Sequence, residues 1–229
     1  MNWREFWNGD HVIYVNARHK GLHYDRIARD IVALLPGENV IALDHGAGEA
    51  LAADAVARHC ASLALYDAAP NVQAKLAQRF EGDARIRVLD DAALAALDDA
   101  SLDVVVVNSL LQYLTREEFA ALLDFWRAKL KAGGRLVIGD VIPPDVGPVD
   151  DVKALMRFAL EGGFVAAAAT GLVKTFFSPY RKLRQSLPLT TYAEADMLAL
   201  IAAHGFAPQR AEKNIGHNQA RMTFVAARG

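Results

Sequence analysis

The segment Asp44-His45-Gly46-Ala47-Gly48 directly follows a short apolar run, Val40-Ile41-Ala42-Leu43. Two glycines one residue apart allow a tight turn in which a ligand can approach bare backbone. A helix expected from Glu49 to Ala61 would turn unpaired amides and the positive end of its dipole toward that ligand. Such turns also occur for packing reasons, so the motif gains weight only from what lies further along the chain. Asp67, 19 residues after Gly48, closes a second apolar run, Leu63-Ala64-Leu65-Tyr66. An acid at that distance is well placed to accept bonds from ribose hydroxyls, and its competing role is to cap a helix after Pro70. Together, turn and acid point to an adenosine-containing cofactor. A dinucleotide fingerprint would need a third glycine where Leu51 stands, and no Gly-x-x-x-x-Gly-Lys-Ser/Thr loop is present.

Short apolar runs alternating with helical segments must position these residues. Strands are predicted at 40–43, 63–66, 86–89, 103–108 and 135–139, and helices at 49–61 and 72–80. The consecutive valines 104–107 fit a strand covered on both faces, as in a parallel sheet. Thr115 with Glu118 forms a capping-box pattern for a helix running to Lys131, with Gly133-Gly134 as its stop. A helix at 193–204 precedes two last strands, 206–213 and 222–227, whose short link suits an antiparallel pair. The pattern predicts an α/β, Rossmann-like, seven-stranded and mostly parallel sheet with an antiparallel C-terminal strand, helices on both faces and a helical cap. One domain is expected: an N-terminal cap segment (1–35, ending in a helix at 24–35), a core (36–142), a helical insertion (143–192, with helices near 152–160 and 180–187) and a C-terminal helix and strand pair (193–229).

The 229 residues are 53% hydrophobic and 23% charged, which is globular composition and excludes a disordered chain. A formal charge of -2 makes nucleic acid a poor default partner. The single cysteine, Cys60, excludes an internal disulfide and a Cys-rich zinc site, and reads as a small buried apolar residue rather than a nucleophile. No signal-peptide-like run opens the chain, and the longest apolar stretch, 162–173, is short of the ~20 residues that span a bilayer. A cytoplasmic protein is expected.

At this level the chain resembles the class I S-adenosylmethionine (SAM)-dependent methyltransferases, especially the small-molecule group that includes quinone-biosynthesis enzymes. The matching pieces are the segments 40–48, 65–70, 90–92, 100–105 and 130–136 and the late His204-Gly205-Phe206, in that order. The resemblance implies SAM as cofactor. It implies that Asp44, Gly46 and Gly48 surround the methionine part, and that Asp67 holds the ribose with Ala68 beside the adenine. Asp91, followed by Ala92, would read the adenine amino group, with Asp90 as the alternative one residue earlier. Asn108 and Ser109 would line the methyl-transfer point. The N-terminal segment would fold over SAM, with Tyr14 and Arg18 at the methionine carboxylate. Ala50 stands where the family usually has glycine, at what is expected to be the start of a helix.

Methyl transfer from a sulfonium depends mostly on alignment, with a general base added when the acceptor must lose a proton. His19 and His23, near His11, are the candidate bases because histidine titrates near neutrality; the competing role is a solvated polar surface. No carboxylate or cysteine joins them at ligand spacing, so no metal is expected. In the insertion, Lys174, Arg181, Lys182 and Arg184 interleave with Phe176, Phe177 and Tyr180, either as a clamp on an anionic or lipid-like acceptor or as an ordinary basic helix. The residues after the valine run lack the Cys of cytosine-carbon methylation and the Asp/Asn-Pro-Pro-aromatic of amino methylation of nucleic acids. A small, partly apolar acceptor is expected, and the apolar cap could also form a homodimer contact. A non-catalytic SAM-binding module and a nicotinamide-dependent oxidoreductase are the rival readings.

Overall fold

Val104 and Val106 pack on one side of the sheet with Ala28, Ile31, Val56 and Leu76, whereas Val105 and Val107 pack on the other with Phe119, Leu123, Trp126 and Ile201. None of the four is more than 3% exposed. A strand with no polar face needs cover on both sides, and that requirement shapes the molecule. The computed structural model describes residues 3–9, 14–176 and 189–229, without the side chains of 4, 6 and 173–176.

The strands are β1 (Val40–His45), β2 (Cys60–Tyr66), β3 (Ile86–Leu89), β4 (Leu102–Asn108), β5 (Leu130–Val141), β6 (Phe206–Arg210) and β7 (Met222–Arg228). They form one sheet in the order β3-β2-β1-β4-β5-β7-β6, with β7 antiparallel to both neighbours and the rest parallel. The helices are α1 (Trp3–Trp7), α2 (Ala17–Leu34), α3 (Ala53–Ala57), α4 (Pro70–Arg79), α5 (Asp91–Ala95), α6 (Arg116–Lys129), α7 (Pro148–Gly162), α8 (Val165–Phe176) and α9 (Glu194–Ala203). Helices α2, α3 and α4 supply the core on one face, and α6 and α9 the core on the other. A third, smaller core joins Phe158 and Ala159 of α7 to Phe164 and Ala168, with Val15 and Leu22 packed against it. This is the cap, docked on α2 over the carboxyl ends of the parallel strands.

Several boundaries differ from the sequence expectation, each for a local reason. The helix expected over 49–61 is only α3, because Gly48 and Ala50 both adopt left-handed backbone (φ 57° and 44°) that an α-helix cannot include. Ala50 therefore lies in a turn, not at a helix start. Cys60 opens β2 instead of ending a helix; it is buried, and burial pushes its thiol up to about 11, in keeping with an inert packing role. Helix α6 ends at Lys129, since Leu130 turns extended, buries its side chain and pairs with Leu102. Helix α2 begins at Ala17, earlier than expected, because Asn16 caps it by accepting from the His19 amide at 2.8 Å. His11, Phe177, Tyr180, Arg181, Lys182, Arg184 and the helix expected near 180–187 lie outside the described residues, as do the side chains of Lys174 and Phe176. Among the described residues, no helix is long and apolar enough to cross a membrane.

The capping box is present in full: Thr115 Oγ1 accepts from the Glu118 amide at 3.1 Å, and Glu118 Oε2 from the Thr115 amide at 2.7 Å. Removing the hydroxyl in Thr115→Ala leaves one amide of α6 without its partner, and thermal denaturation should show a loss of about 1 kcal/mol.

Candidate active site

The top of β1 runs straight into the glycine turn. Gly46 has φ 86°, and a Cβ there would press on Leu110 at 3.2 Å, so glycine is required on two counts. The amides of Gly46 and Ala47 both donate to the Tyr66 carbonyl, at 2.8 and 3.0 Å, which ties the turn to the end of β2. Asp67 completes the brace. Its Oδ2 accepts from the Gly48 amide at 3.0 Å and its Oδ1 from the Ala69 amide at 2.9 Å. Asp67 thus braces the turn ahead of α4 rather than capping that helix, whose N-cap is Ala69. The two amides occupy only two of the about four lone-pair sites of a carboxylate. Burial pushes Asp67 upward against the pull of both amides. Asp44 is pushed up to about 7, first by burial and then by the nearby Asp67 charge.

Around this turn opens a cavity of about 1880 Å³, lined by the ends of β1, β2, β4 and β5, by α2, and by parts of the cap. Single-ligand sites usually fall in the range of ~300–1,000 Å³, so this volume has room for a cofactor and a second molecule. Helix α1 lies across one side. Trp3 and Trp7 rest on Tyr113 with ring centroids 4.7 and 5.5 Å apart, and Asn8 receives the amide of Asn71 at 2.8 Å. Trp3, Trp7, Asn8 and Tyr113 all line the cavity.

Of the residues expected to hold SAM, Tyr14, Asp44, Gly46, Gly48, Asp67, Ala68, Asn108 and Ser109 line this one cavity. Tyr24 is beside them, its hydroxyl 3.9 Å from where a Gly48 Cβ would stand. Arg18 is not in the lining. It is exposed and donates to the Gly162 carbonyl at the end of α7, where a cation suits the helix dipole. Lys20, two residues on, is a cation on the cavity wall, paired with Glu49 at 2.6 Å. Asp91 and Ala92 are exposed and also outside the lining, although Asp91 Oδ1 accepts the Tyr66 hydroxyl at 3.0 Å at the end of β2. Asp90 is occupied as the cap of α5, accepting from the Ala93 amide at 2.7 Å.

His19 and His23 meet on the cavity wall, with His217 from the β6–β7 loop completing a cluster of ring centroids 5.7 to 6.3 Å apart. His19 stacks on Phe164, and its Nδ1 accepts the Val15 amide at 3.3 Å, which leaves the proton on Nε2. Burial, with the other two rings nearby, holds His23 down to about 3; burial likewise holds His217 down to about 4. His217 gave no signal in sequence, since only the antiparallel hairpin brings its loop to this end of the sheet. Arg221, in the same loop, was missed for the same reason, and Asp140 because Ser109 and Arg221 meet it only in the fold. Arg221 bridges Asp140 at 2.8 Å and Asp151 at 3.0 Å, and Ser109 Oγ donates to Asp140 at 2.7 Å.

Residues 43–138 match the family described as "Methyltransferase domain". The match runs from β1 into β5, and the fold of the whole chain is one seen in SAM-dependent methyltransferases. Its fold is that of magnesium protoporphyrin IX methyltransferase from Synechocystis PCC 6803 with bound SAM, at 16% identity over 99% of this chain and 89% of that one, TM-score 0.58. A putative O-methyltransferase from Nostoc punctiforme PCC 73102 superimposes with TM-score 0.62 at 20% identity, over 99% of this chain and 60% of that one. The pyocyanin biosynthetic protein PhzM does so with TM-score 0.58 at 16% identity, over 92% and 56%. No curated protein matches the sequence. The glycine turn with Asp67 is a donor and acceptor set that fits an adenosine group.

Two predictions concern the turn and its neighbours. His45, 5% exposed, accepts the Trp126 indole N–H at 3.3 Å, and burial holds it down to about 4. The unfolded chain binds that proton near pH 6.5 and the folded one only near pH 4, so stability falls as pH drops through this window, by about 3 kcal/mol from this residue. Denaturation midpoints of His45→Gln should show a shallower acid slope than wild type between those limits. For Ala50→Gly, relief of ~1–2 kcal/mol of left-handed strain opposes ~0.8 kcal/mol of lost methyl burial and ~0.4–1 kcal/mol of added unfolded-chain entropy. The expected stability change is near zero, whereas a loss above ~1.5 kcal/mol in urea titration would refute the strain argument.

Proposed function

We propose that the enzyme transfers the SAM methyl group to a small, partly apolar molecule. The observation that carries this reading is the single cavity that joins the braced glycine turn to the apolar cap. When bound, SAM supplies the methyl group on a positively charged sulfur. Asp67 would use its remaining lone pairs on the ribose hydroxyls, with Ala68 beside the adenine ring. Asp44, Gly46, Gly48 and Tyr14 would surround the methionine part, with Lys20 better placed than Arg18 to meet its carboxylate. Asp91 and Ala92 would serve the adenine edge from outside the present wall. Asn108 and Ser109 would face the transfer point. The aliphatic side chains of Val152, Leu155 and Leu172 support an acceptor with apolar surface, and helix α1 supports exclusion of water from the reacting atoms.

The histidines fit a supporting role better than a chemical one. His19 has its Nδ1 occupied by backbone, and an imidazole held near 3, like His23, is a weak base at neutral pH. Positioning remains the main catalytic device, and it can supply ~7–11 kcal/mol.

Calorimetric titration with SAM and S-adenosylhomocysteine tests this. Micromolar binding is expected, weakened in Asp67→Ala by about ten- to a hundredfold, the worth of charge-assisted hydrogen bonds. Absence of binding to the wild type would overturn the reading, while binding without methyl uptake by any component of a metabolite extract would convert the protein into a SAM-binding module.

A further inference from the structure

Two neighbouring strand ends share an unusual backbone. Ser109, just after β4, has φ 58°, and Asp140, near the end of β5, has φ 62°. Neither is glycine, and a left-handed residue of this kind persists only where its surroundings hold it in place. The surroundings do so from three sides. The Ser109 amide donates to the Gly139 carbonyl at 3.2 Å, the Asp140 amide donates to Asn214 Oδ1 at 3.0 Å, and the Ser109 hydroxyl donates to Asp140 at 2.7 Å. A Cβ at Gly139 would stand 2.5 Å from Asn108 Oδ1, so the strand ends have closed to the limit that glycine permits.

The result is one carboxylate held in one orientation. Asp140 Oδ2 receives both Ser109 Oγ and Arg221 Nη1, and Arg221 is fixed in turn by Asp151. No described residue bonds Asp140 Oδ1, and Asp140 lines the cavity with its side chain 15% exposed. Along the same wall, Asn108 Oδ1 and His23 Nδ1 are buried polar atoms without a partner. Such groups are costly to leave unsatisfied, which makes Asp140 Oδ1, partly exposed to the cavity, the better placed of these atoms to meet a ligand. With the histidines held neutral and poorly basic, Asp140 is the strongest anionic acceptor on this side of the cavity that is free to engage a ligand through an unused oxygen.

We propose that Asp140 binds the methyl acceptor through Oδ1 and receives its proton during transfer, an inference that rests on the methyltransferase reading of the cavity. The acceptor is then a hydroxyl or amine compound that carries a hydrogen on its nucleophilic atom. That atom forms a bond to the methyl carbon, the methyl–sulfur bond breaks with its electron pair on sulfur, and the proton passes to Asp140 Oδ1. Atoms and charge balance: a carboxylate and a sulfonium become a carboxylic acid and a neutral thioether. Arg221 and Ser109 act as positioning residues that hold Oδ2 so that Oδ1 faces the reacting atoms. Burial raises the Asp140 carboxyl above its ordinary value while Arg221 and Ser109 oppose that rise, so it can both lose and regain a proton.

The test uses full-length protein, isotope-labelled SAM, and catechol, hydroquinone and tryptamine as the acceptor probes. Wild type should methylate at least one probe, with a rate that rises with pH as Asp140 ionises. Asp140→Asn should lower kcat by about a hundredfold or more, abolish that acidic limb, and leave S-adenosylhomocysteine affinity within about threefold. Asp140→Glu should restore part of the rate together with the limb, which a purely structural role would not do. An Asp140→Asn enzyme that stays within about tenfold of wild type, or keeps the limb, overturns the proposal. So does a wild type that binds S-adenosylhomocysteine but methylates none of the probes. Failure of the wild type to bind S-adenosylhomocysteine strikes the methyltransferase reading itself.

Discussion

Burial of the central strands on both faces is the constraint from which the rest follows. With Val104 to Val107 alternating between two dry cores, β4 has no polar face on which a functional group could sit. The same holds for its neighbour β1, where Leu43 faces one core and Ala42 the other. Polar chemistry is pushed to the strand ends, where backbone leaves the sheet and the helical layers stop. Asp44, Asn108 and Asp140 mark the tops of three adjacent strands, β1, β4 and β5, in spatial order. The cavity is the gap that the two helical layers leave above those ends, and the cap is what closes it.

Electrostatics divides that cavity into two halves. Near the glycine turn, Asp44 and Asp67 stand close enough that each carboxylate feels the low-dielectric surroundings, and Asp44 also feels its neighbour's charge. A cationic ligand centre placed beside them would relieve both costs at once, and SAM carries one on its sulfur and another on its amino group. On the far side, Arg221 neutralises part of the Asp140 and Asp151 charge, and the histidines stay uncharged because burial penalises the imidazolium. The two halves meet at Asn108 and Ser109.

Much of this was legible in sequence because it depends on local residue type. The glycine turn, the spacing to Asp67, the four valines and the Thr115 box each follow from neighbours in the chain, and each specified its element. The seven-stranded sheet with one reversed strand was readable from the short link between the last two runs. What was illegible depends on meetings across the fold. Nothing near Arg18 shows that it will find the end of α7, 144 residues away, leaving Lys20 for the cavity. Nothing near Arg221 announces Asp140, 81 residues earlier. The overlong helix expected after Glu49 failed for a third reason: Ala50 has excellent helix propensity, yet tertiary packing holds it left-handed.

The reversal of β7 has one more consequence. Because β7 runs antiparallel to β5, its first residues lie beside the carboxyl end of β5, and the loop that feeds it reaches the cavity from the side opposite the glycine turn. That loop carries Asn214, His217, Asn218 and Arg221, while β1 and β2 carry the brace around Asp67. The two sets share no strand and sit on separate lengths of chain. Substitutions and even length changes between β6 and β7 can therefore reshape one half of the cavity while the other keeps its geometry, making the hairpin the natural place for lineages of this enzyme to diverge.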